Sequence, residues 1–263
     1  MTVIRSRDNA RIKSWHSLAQ EPGERRKRGR ALIEGVHLVE TFLQQEGVPV
    51  SLIVSESAVG KEEVDRLVQR SRAEPFILAD NLFKRISDTQ APVGIALEIS
   101  IAGQIIDPAT SQGCVFLDGV QDAGNVGAII RSAAAFGVPD VVVGRGCADP
   151  WSPKALRAGM GGHFFLRVAA SSDLNEDIRR FGGDSICTAV HEGEPLGALD
   201  LTGRIAWIFG SEGSGVSAGV AAAASRKATI PTPGGTESLN VAASAAICFY
   251  ERQRQLNTRG GGA

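Results

Sequence analysis

From residue 114 onward the chain carries short apolar-rich runs that do not alternate with polar residues, at 114–117, 141–143, 164–168, 185–189, 205–209 and 228–230. A strand with one wet face alternates in polarity. Runs without that alternation are covered on both faces, which is the pattern of a parallel sheet between layers of helix. Helical segments fall between most of these runs, including a small-residue helix after Gly124, so the reading is an α/β domain. The last helix, 241–256, opens with Ala242, Ala243, Ser244, Ala245 and Ala246, side chains small enough to let another helix or a partner subunit approach closely. The glycine tail at 260–262 is expected to be disordered.

The first third reads as a separate α/β unit. Helices are predicted at 8–20, where Ile12, Trp15, Leu18 and Ala19 share a face, and at 36–45, 62–72 and 80–87. Strands are predicted at 31–34, 50–54, 75–78 and 93–101. Residues 102–112 carry Gly, Pro, Thr, Ser and Gln without periodicity and mark a linker. The expected domains are therefore 1–105 and 112–258, within a length of 263 residues that favours two domains of unequal size.

Charge and cysteine usage narrow the function classes. The net charge is only −1, but residues 1–30 hold nine basic groups against three acidic ones. Such a patch can neutralise phosphates or can simply be the solvated end of a helix. Cys114, Cys147, Cys187 and Cys248 show no CxxC spacing and do not cluster with the four histidines, so reduced buried thiols are expected and a metal site is not. No run approaches the roughly 18 apolar residues that span a bilayer, and the arginine-bearing start (Arg5, Arg7, Arg11) lacks a secretory apolar core. A cytoplasmic protein without a membrane partner is expected.

Chemistry in a parallel α/β sheet gathers at the C-terminal ends of the strands, and three loops there have unusual composition. The first holds Asn125 and Gly127, followed by Arg131 inside an otherwise apolar helix, where a buried guanidinium would need a partner or an anionic ligand. The second, directly after 205–209, holds Gly210, Glu212, Gly213 and Gly215, and so lets backbone approach a ligand closely. The third runs from Ile230 and Pro231 through Gly234 to Ser238, Leu239, Asn240 and Val241 at the start of the last helix, which Ser238 could cap. Gly213, Gly215 and Ala218 also fit a G-x-G-x-x-A dinucleotide fingerprint. They follow their strand too late, and no second strand with a ribose-binding acid lies at the usual distance.

Together, in this order and spacing, the three loops resemble the SpoU (TrmH) family of RNA ribose 2′-O-methyltransferases, whose pattern is N-x-G-x-x-x-R, then G-x-E-x-x-G, then I-P-x-x-G-x-x-x-S-L-N-V. The resemblance covers about residues 114–256. It implies a trefoil-knotted SPOUT methyltransferase domain with a parallel sheet, binding S-adenosylmethionine (SAM) at the knot and working as a homodimer. It further implies a smaller N-terminal domain with an L30e-like α/β fold that binds the RNA substrate, and Glu34, Gly35, His37 and Val39 are similar to the segment that opens it. Val93 before Gly94 departs from the family pattern, as does Gly159 where a serine is frequent. By the same likeness Arg131 acts at the ribose, with Asn125, Glu212, Ser238 and Asn240 arranging it, the RNA or the cofactor loop. Backbone groups at Thr188, Ala189, Val190, Gly210, Ile230 and Leu239 would hold the cofactor.

Arginine is ordinarily charged at any physiological pH. A role polarising the hydroxyl or clamping a neighbouring phosphate therefore suits Arg131 better than that of a base. Methyl transfer from a sulfonium requires no metal. The expected substrate is RNA, with 23S ribosomal RNA favoured and transfer RNA the alternative. The competing classes are a noncatalytic RNA-binding protein and a nicotinamide-dependent oxidoreductase.

Overall fold

The computed structural model describes residues 2–101, 105–234 and 238–260. The chain forms two compact units, Met1–Gly103 with Trp151–Phe164, and Gln104–Pro150 with Phe165–Ala263.

The elements of the first unit are β1 (Val3–Ile4), α1 (Ala10–Gln20), α2 (Pro22–Arg28), β2 (Arg30–Glu34), α3 (Val36–Gln44), β3 (Ser51–Ser55), α4 (Glu62–Ser71), β4 (Pro75–Leu78), α5 (Asp80–Ile86) and β5 (Ile95–Ser100). Their sheet has the order β1-β4-β3-β5-β2, parallel among β1, β4 and β3 and antiparallel where β5 meets β3 and β2. Ile12, Trp15 and Leu18 of α1 meet Leu82, Phe83 and Ile86 of α5 in its core. The Trp15 indole finds a polar partner in Glu98, donating to its carboxylate at 3.0 Å. The helix Pro153–Gly159 belongs to this unit and packs on β2, while Phe164 stands edge-on to Phe42 at 5.3 Å between ring centroids.

Helix α2 is absent from the sequence reading because its residues are charged and carry no apolar period. Proline at its first turn and Gly29 in a left-handed conformation bound it instead. It also redistributes the basic patch. Arg25 is buried and donates to the carbonyls of Leu18 and Ala19, satisfying the end of α1. Arg5, Lys13, Lys27 and Arg28 pair with Glu56, Asp8 and Glu24, and Arg11 lies over the Phe76 ring. Much of the local positive charge is therefore spent inside the unit.

The second unit contains β6 (Gly113–Asp118), α6 (Ala123–Ala135) and β7 (Asp140–Val143); α7 is the Pro153–Gly159 helix already described. Then follow β8 (Arg167–Ala170), α8 (Leu174–Arg180), β9 (Asp184–Thr188), β10 (Glu194–Pro195), β11 (Ile205–Gly210), α9 (Ala218–Ala223), β12 (Arg226–Thr229) and α10 (Val241–Gly260). The seven strands lie in the order β10-β12-β9-β11-β6-β7-β8, and every pairing is parallel. One face is covered by Leu174, Ile178 and Val220 over Cys114, Phe116, Cys187 and Ile208. On the other face the Phe249 ring of α10 stands edge-on to Phe209 at 5.8 Å, and α10 packs along α6. Burial on both faces of β6, β7, β9 and β11 explains why their apolar runs do not alternate.

One expectation is corrected. The strand expected at 164–168 is Arg167–Ala170, and Phe164 closes a turn with Gly162. Its register places Arg167 opposite Asp140, whose buried carboxylate takes two guanidinium hydrogen bonds at 2.7 and 2.8 Å. Helix α10 runs to Gly260, and residues 261–262 of the glycine tail lie outside the described residues. The final turns are tied down by Gln255, which accepts from Leu201 N–H and donates to the Leu199 carbonyl, and by Arg259, which donates to Thr202. Of the linker, 102–104 fall outside the described residues, while 105–112 form turns anchored by Arg180 on Asp107 and Arg204 on the carbonyls of Ala109 and Ser111.

Among the described residues no helix is long and apolar enough to cross a membrane, and no cluster of His, Cys, Asp and Glu could hold a metal ion. The four cysteines are free. Cys114, Cys187 and Cys248 are buried, and desolvation raises all three thiols above their ordinary value. Cys147 is only half-buried, accepting from Val120 N–H and donating to the Leu117 carbonyl, and desolvation raises it too.

Candidate active site

The three glycine-bearing loops meet at the C-terminal edge of the parallel sheet. Asp122 ends the loop after β6 and caps α6, its carboxylate accepting from Asn125 N–H at 3.0 Å. This leaves the Asn125 side chain projecting from the first turn, where two partners hold it. Its amide nitrogen donates to Glu212 at 2.5 Å, and its oxygen accepts from the Asn240 amide at 3.0 Å. Asn240 is fixed in turn by its oxygen, which accepts from Ala242 N–H at 2.9 Å and Ala243 N–H at 3.2 Å. The cap of α10 is thus Asn240, not Ser238, which is exposed two residues earlier. The free N–H groups of that helix end orient one asparagine, which orients the next, which holds the carboxylate.

Glu212 sits at the tip of a tight loop. Ser211 and Gly215 exchange backbone hydrogen bonds at 3.0 and 2.9 Å, and Ser211 and Ser214 join through their hydroxyls at 2.7 Å. A Cβ on Gly210 would lie 2.0 Å from the Gly215 carbonyl carbon, so only glycine lets this loop fold back on its strand. Asp118, at the end of β6, holds the far side of the loop by accepting from Ser217 N–H at 2.7 Å. The sequence reading gave no role to Asp118 or Asp122. An acid directly after a buried strand, and an acid three residues before Asn125, are the signals that could have found them.

Beside this network lies a cavity of about 550 Å³ within the second unit. Thr188, Ala189, Val190, Gly210, Ile230 and Leu239 all line it, as do Glu212 and Ser238. At Ala189 the N–H is already committed to the Ala228 carbonyl at 2.9 Å. Lys227 and Ser244 are further lining groups that the sequence reading missed. The volume lies in the range typical of small-molecule and cofactor sites. The dinucleotide reading gains nothing, since Gly213 and Gly215 belong to the closed loop and the helix after it is the short α9.

Arg131 departs from expectation. The helix buries Val126, Gly127, Ile129, Ile130 and Ala133, whereas Arg131 is exposed. Among the described residues its guanidinium has no hydrogen-bond or ion-pair partner. It does not line the cavity.

A family profile described as the SpoU rRNA Methylase family matches residues 112–250, more than half of the chain. The chain belongs to this family. A second profile, the MRM3-like substrate binding domain, matches residues 9–96. The SpoU chain is 32% identical over 252 residues to the Bacillus subtilis 23S rRNA (guanosine(2553)-2′-O)-methyltransferase RlmP, covering 95% of this chain and 98% of the relative. Among solved structures it is similar to a Porphyromonas gingivalis protein assigned to the TrmH family of RNA methyltransferases, at 30% identity and a TM-score of 0.81, covering 94% and 98% of the two chains. It also shares the fold of the SpoU methyltransferase AviRb from Streptomyces viridochromogenes, solved with the cofactor AdoMet, at 24% identity and a TM-score of 0.86 over 97% and 100% of the chains.

Proposed function

We infer that this chain transfers the methyl group of SAM to a ribose 2′-hydroxyl of structured RNA, with 23S ribosomal RNA favoured over transfer RNA as the substrate. The reading rests on the SpoU membership and on one observation above all: Asn125 bonds at once to Glu212 and Asn240 beside a cavity that the expected cofactor residues line. A noncatalytic RNA binder would not need that chain of hydrogen bonds. The likeness to a ribosomal RNA methyltransferase along nearly the whole chain favours ribosomal RNA.

The residues fit the cofactor by size and by chemistry. Thr188, Ala189, Val190, Gly210, Ile230 and Leu239 border a cavity of mixed polar and apolar lining, in which their main-chain groups would hold an adenine. Bound SAM supplies an electrophilic methyl group on a positively charged sulfur, which the ribose oxygen attacks as the carbon–sulfur bond breaks. The protein's part is positioning. Asn125 and Asn240 fix the loops, Ser238 borders the cofactor cavity, Glu212 sets the loop edge toward the ribose, and exposed Arg131 clamps the adjoining phosphate or polarises the hydroxyl. The hydroxyl proton passes to a phosphate oxygen or to water.

In this reading residues 1–105 are the L30e-like RNA substrate-binding domain and 112–258 the knotted SAM-binding domain of a cytoplasmic homodimer. Exposed Ile247 and Tyr250 on α10 give a second copy an apolar face to cover. The test is single-turnover methylation of 23S ribosomal RNA from cells lacking the gene, with SAM affinity measured in parallel. Arg131→Ala is expected to lose about 100-fold in rate with SAM affinity nearly unchanged, and Arg131→Lys to recover part of it. Wild-type rates in both variants remove Arg131 from the mechanism; no methylation by the wild-type protein refutes the function.

A further inference from the structure

A second, smaller cavity of about 130 Å³ lies wholly within the first unit. Its walls are apolar, with Leu32, Leu38, Ile86, Val93 and Leu156 among them, and its rim is polar, with Asp88 and Arg157 side by side. The rim is built rather than incidental. Glu34, at the end of β2, accepts from Ser87 hydroxyl at 2.6 Å, Asp88 N–H at 3.3 Å and Thr89 hydroxyl at 3.2 Å, folding the loop that presents Asp88. Arg157 comes from the helix Pro153–Gly159 and meets Asp88 through one nitrogen, Nη1, and one oxygen, Oδ2. Among the described residues the pair leaves Nε and Nη2 of Arg157 and Oδ1 of Asp88 without partners.

The cavity is too small for a nucleoside cofactor but has room for one planar heterocycle between aliphatic walls. RNA-binding proteins read sequence mostly from unstacked bases, held against side-chain faces and hydrogen-bonded along their edges. On its Watson–Crick edge guanine offers the O6 acceptor, which a guanidinium matches, beside the N1–H and N2–H donors, which a neighbouring carboxylate matches. Adenine offers no acceptor in place of O6, and a phosphate would be repelled by Asp88 and Glu34.

We propose that this pocket receives one unstacked guanine base of the RNA substrate, with Arg157 and Asp88 reading its edge. The proposal rests on the RNA methyltransferase reading and extends it to a recognition site separate from the cofactor cavity. Val93 is 43% exposed at the pocket, so a larger side chain there can close the opening without entering the core. The full-length protein is titrated with 23S ribosomal RNA from cells lacking the gene, comparing Val93→Trp with Val93→Ala. Val93→Trp is expected to weaken RNA binding about tenfold at fixed salt, and Val93→Ala to bind within twofold of wild type, with SAM affinity and melting temperature unchanged in both. Guanosine monophosphate is expected to shift the methyl resonances of Leu38 and Leu156, and adenosine monophosphate to need at least threefold more ligand. Wild-type RNA affinity in Val93→Trp, or equal responses to the two nucleotides, overturns the proposal. Loss of SAM binding or methylation by the wild-type protein would instead refute the enzymatic reading, and the RNA and nucleotide titrations remain readable in that case.

Discussion

Two glutamates, one in each unit, meet different fates: Glu34 ends β2, and Glu212 stands in the loop just after β11. Glu34 spends both carboxylate oxygens on the loop 87–89 and thereby finishes a local structure. Glu212 accepts through one oxygen from Asn125 and stays exposed at the edge of the large cavity, with its other oxygen unpartnered among the described residues. A carboxylate saturated by its own fold builds; one held by a single bond from a distant loop is held for something else. The same contrast separates two arginines. Arg25 is buried on the carbonyls of α1, while Arg131 is exposed and has no partner among the described residues. Fold and chemistry draw on the same residue types, and partner count distinguishes their uses.

That distinction can be broken by experiments that separate stability from activity. The largest effect on stability is expected from the scaffold of the second unit. Phe249→Ala removes the ring packed on Phe209 and should cost about 3–5 kcal/mol in denaturant unfolding. Asn125→Ala should do the reverse, lowering the single-turnover rate about 100-fold, equivalent to about 2.7 kcal/mol, while the melting temperature stays close to wild type. A large fall in melting temperature would make the asparagine bridge a structural brace. In the first unit, Arg25→Ala strands two carbonyls and should cost about 1–3 kcal/mol of stability, with the rate per folded molecule unchanged.

The smallest effect concerns acid. Hydrogen bonds from the backbone and hydroxyl of Ser57 hold Asp80 below the usual carboxylate value. A depressed folded value means its contribution is complete above the unfolded value and disappears as pH falls through the folded one. Asp80→Asn should therefore lose a little stability at neutral pH and converge with wild type in acid, checked by melting curves across pH. Parallel curves at every pH would remove Asp80 from the acid response.

The sequence disclosed most of the scaffold because burial on both faces writes itself into unbroken apolar runs. It also disclosed the convergence of Asn125, Glu212 and Asn240, but through the resemblance of three loops to a family and not through periodicity. What it missed has physical reasons. Helix α2 is charged throughout and bounded by backbone signals rather than by apolar spacing. The capping role went to Ser238 because serine is a common cap, whereas the geometry gives it to Asn240, which serves cap and site together. Arg131 reads as buried because its helix neighbours are apolar. Residues around the circumference of a helix are adjacent in sequence yet face different surroundings, and composition does not show which way one of them points.

The excursion of Trp151–Phe164 sets a practical boundary. A fragment ending near residue 105 would lack the helix that packs on β2, together with Arg157 and the Phe164 ring. A fragment starting near residue 112 would carry that helix with its apolar side in water. A single cut in the linker damages both halves. A cleaner dissection would replace 151–164 by a short polar bridge between Pro150 and Phe165 and append the excised helix to the end of the first unit.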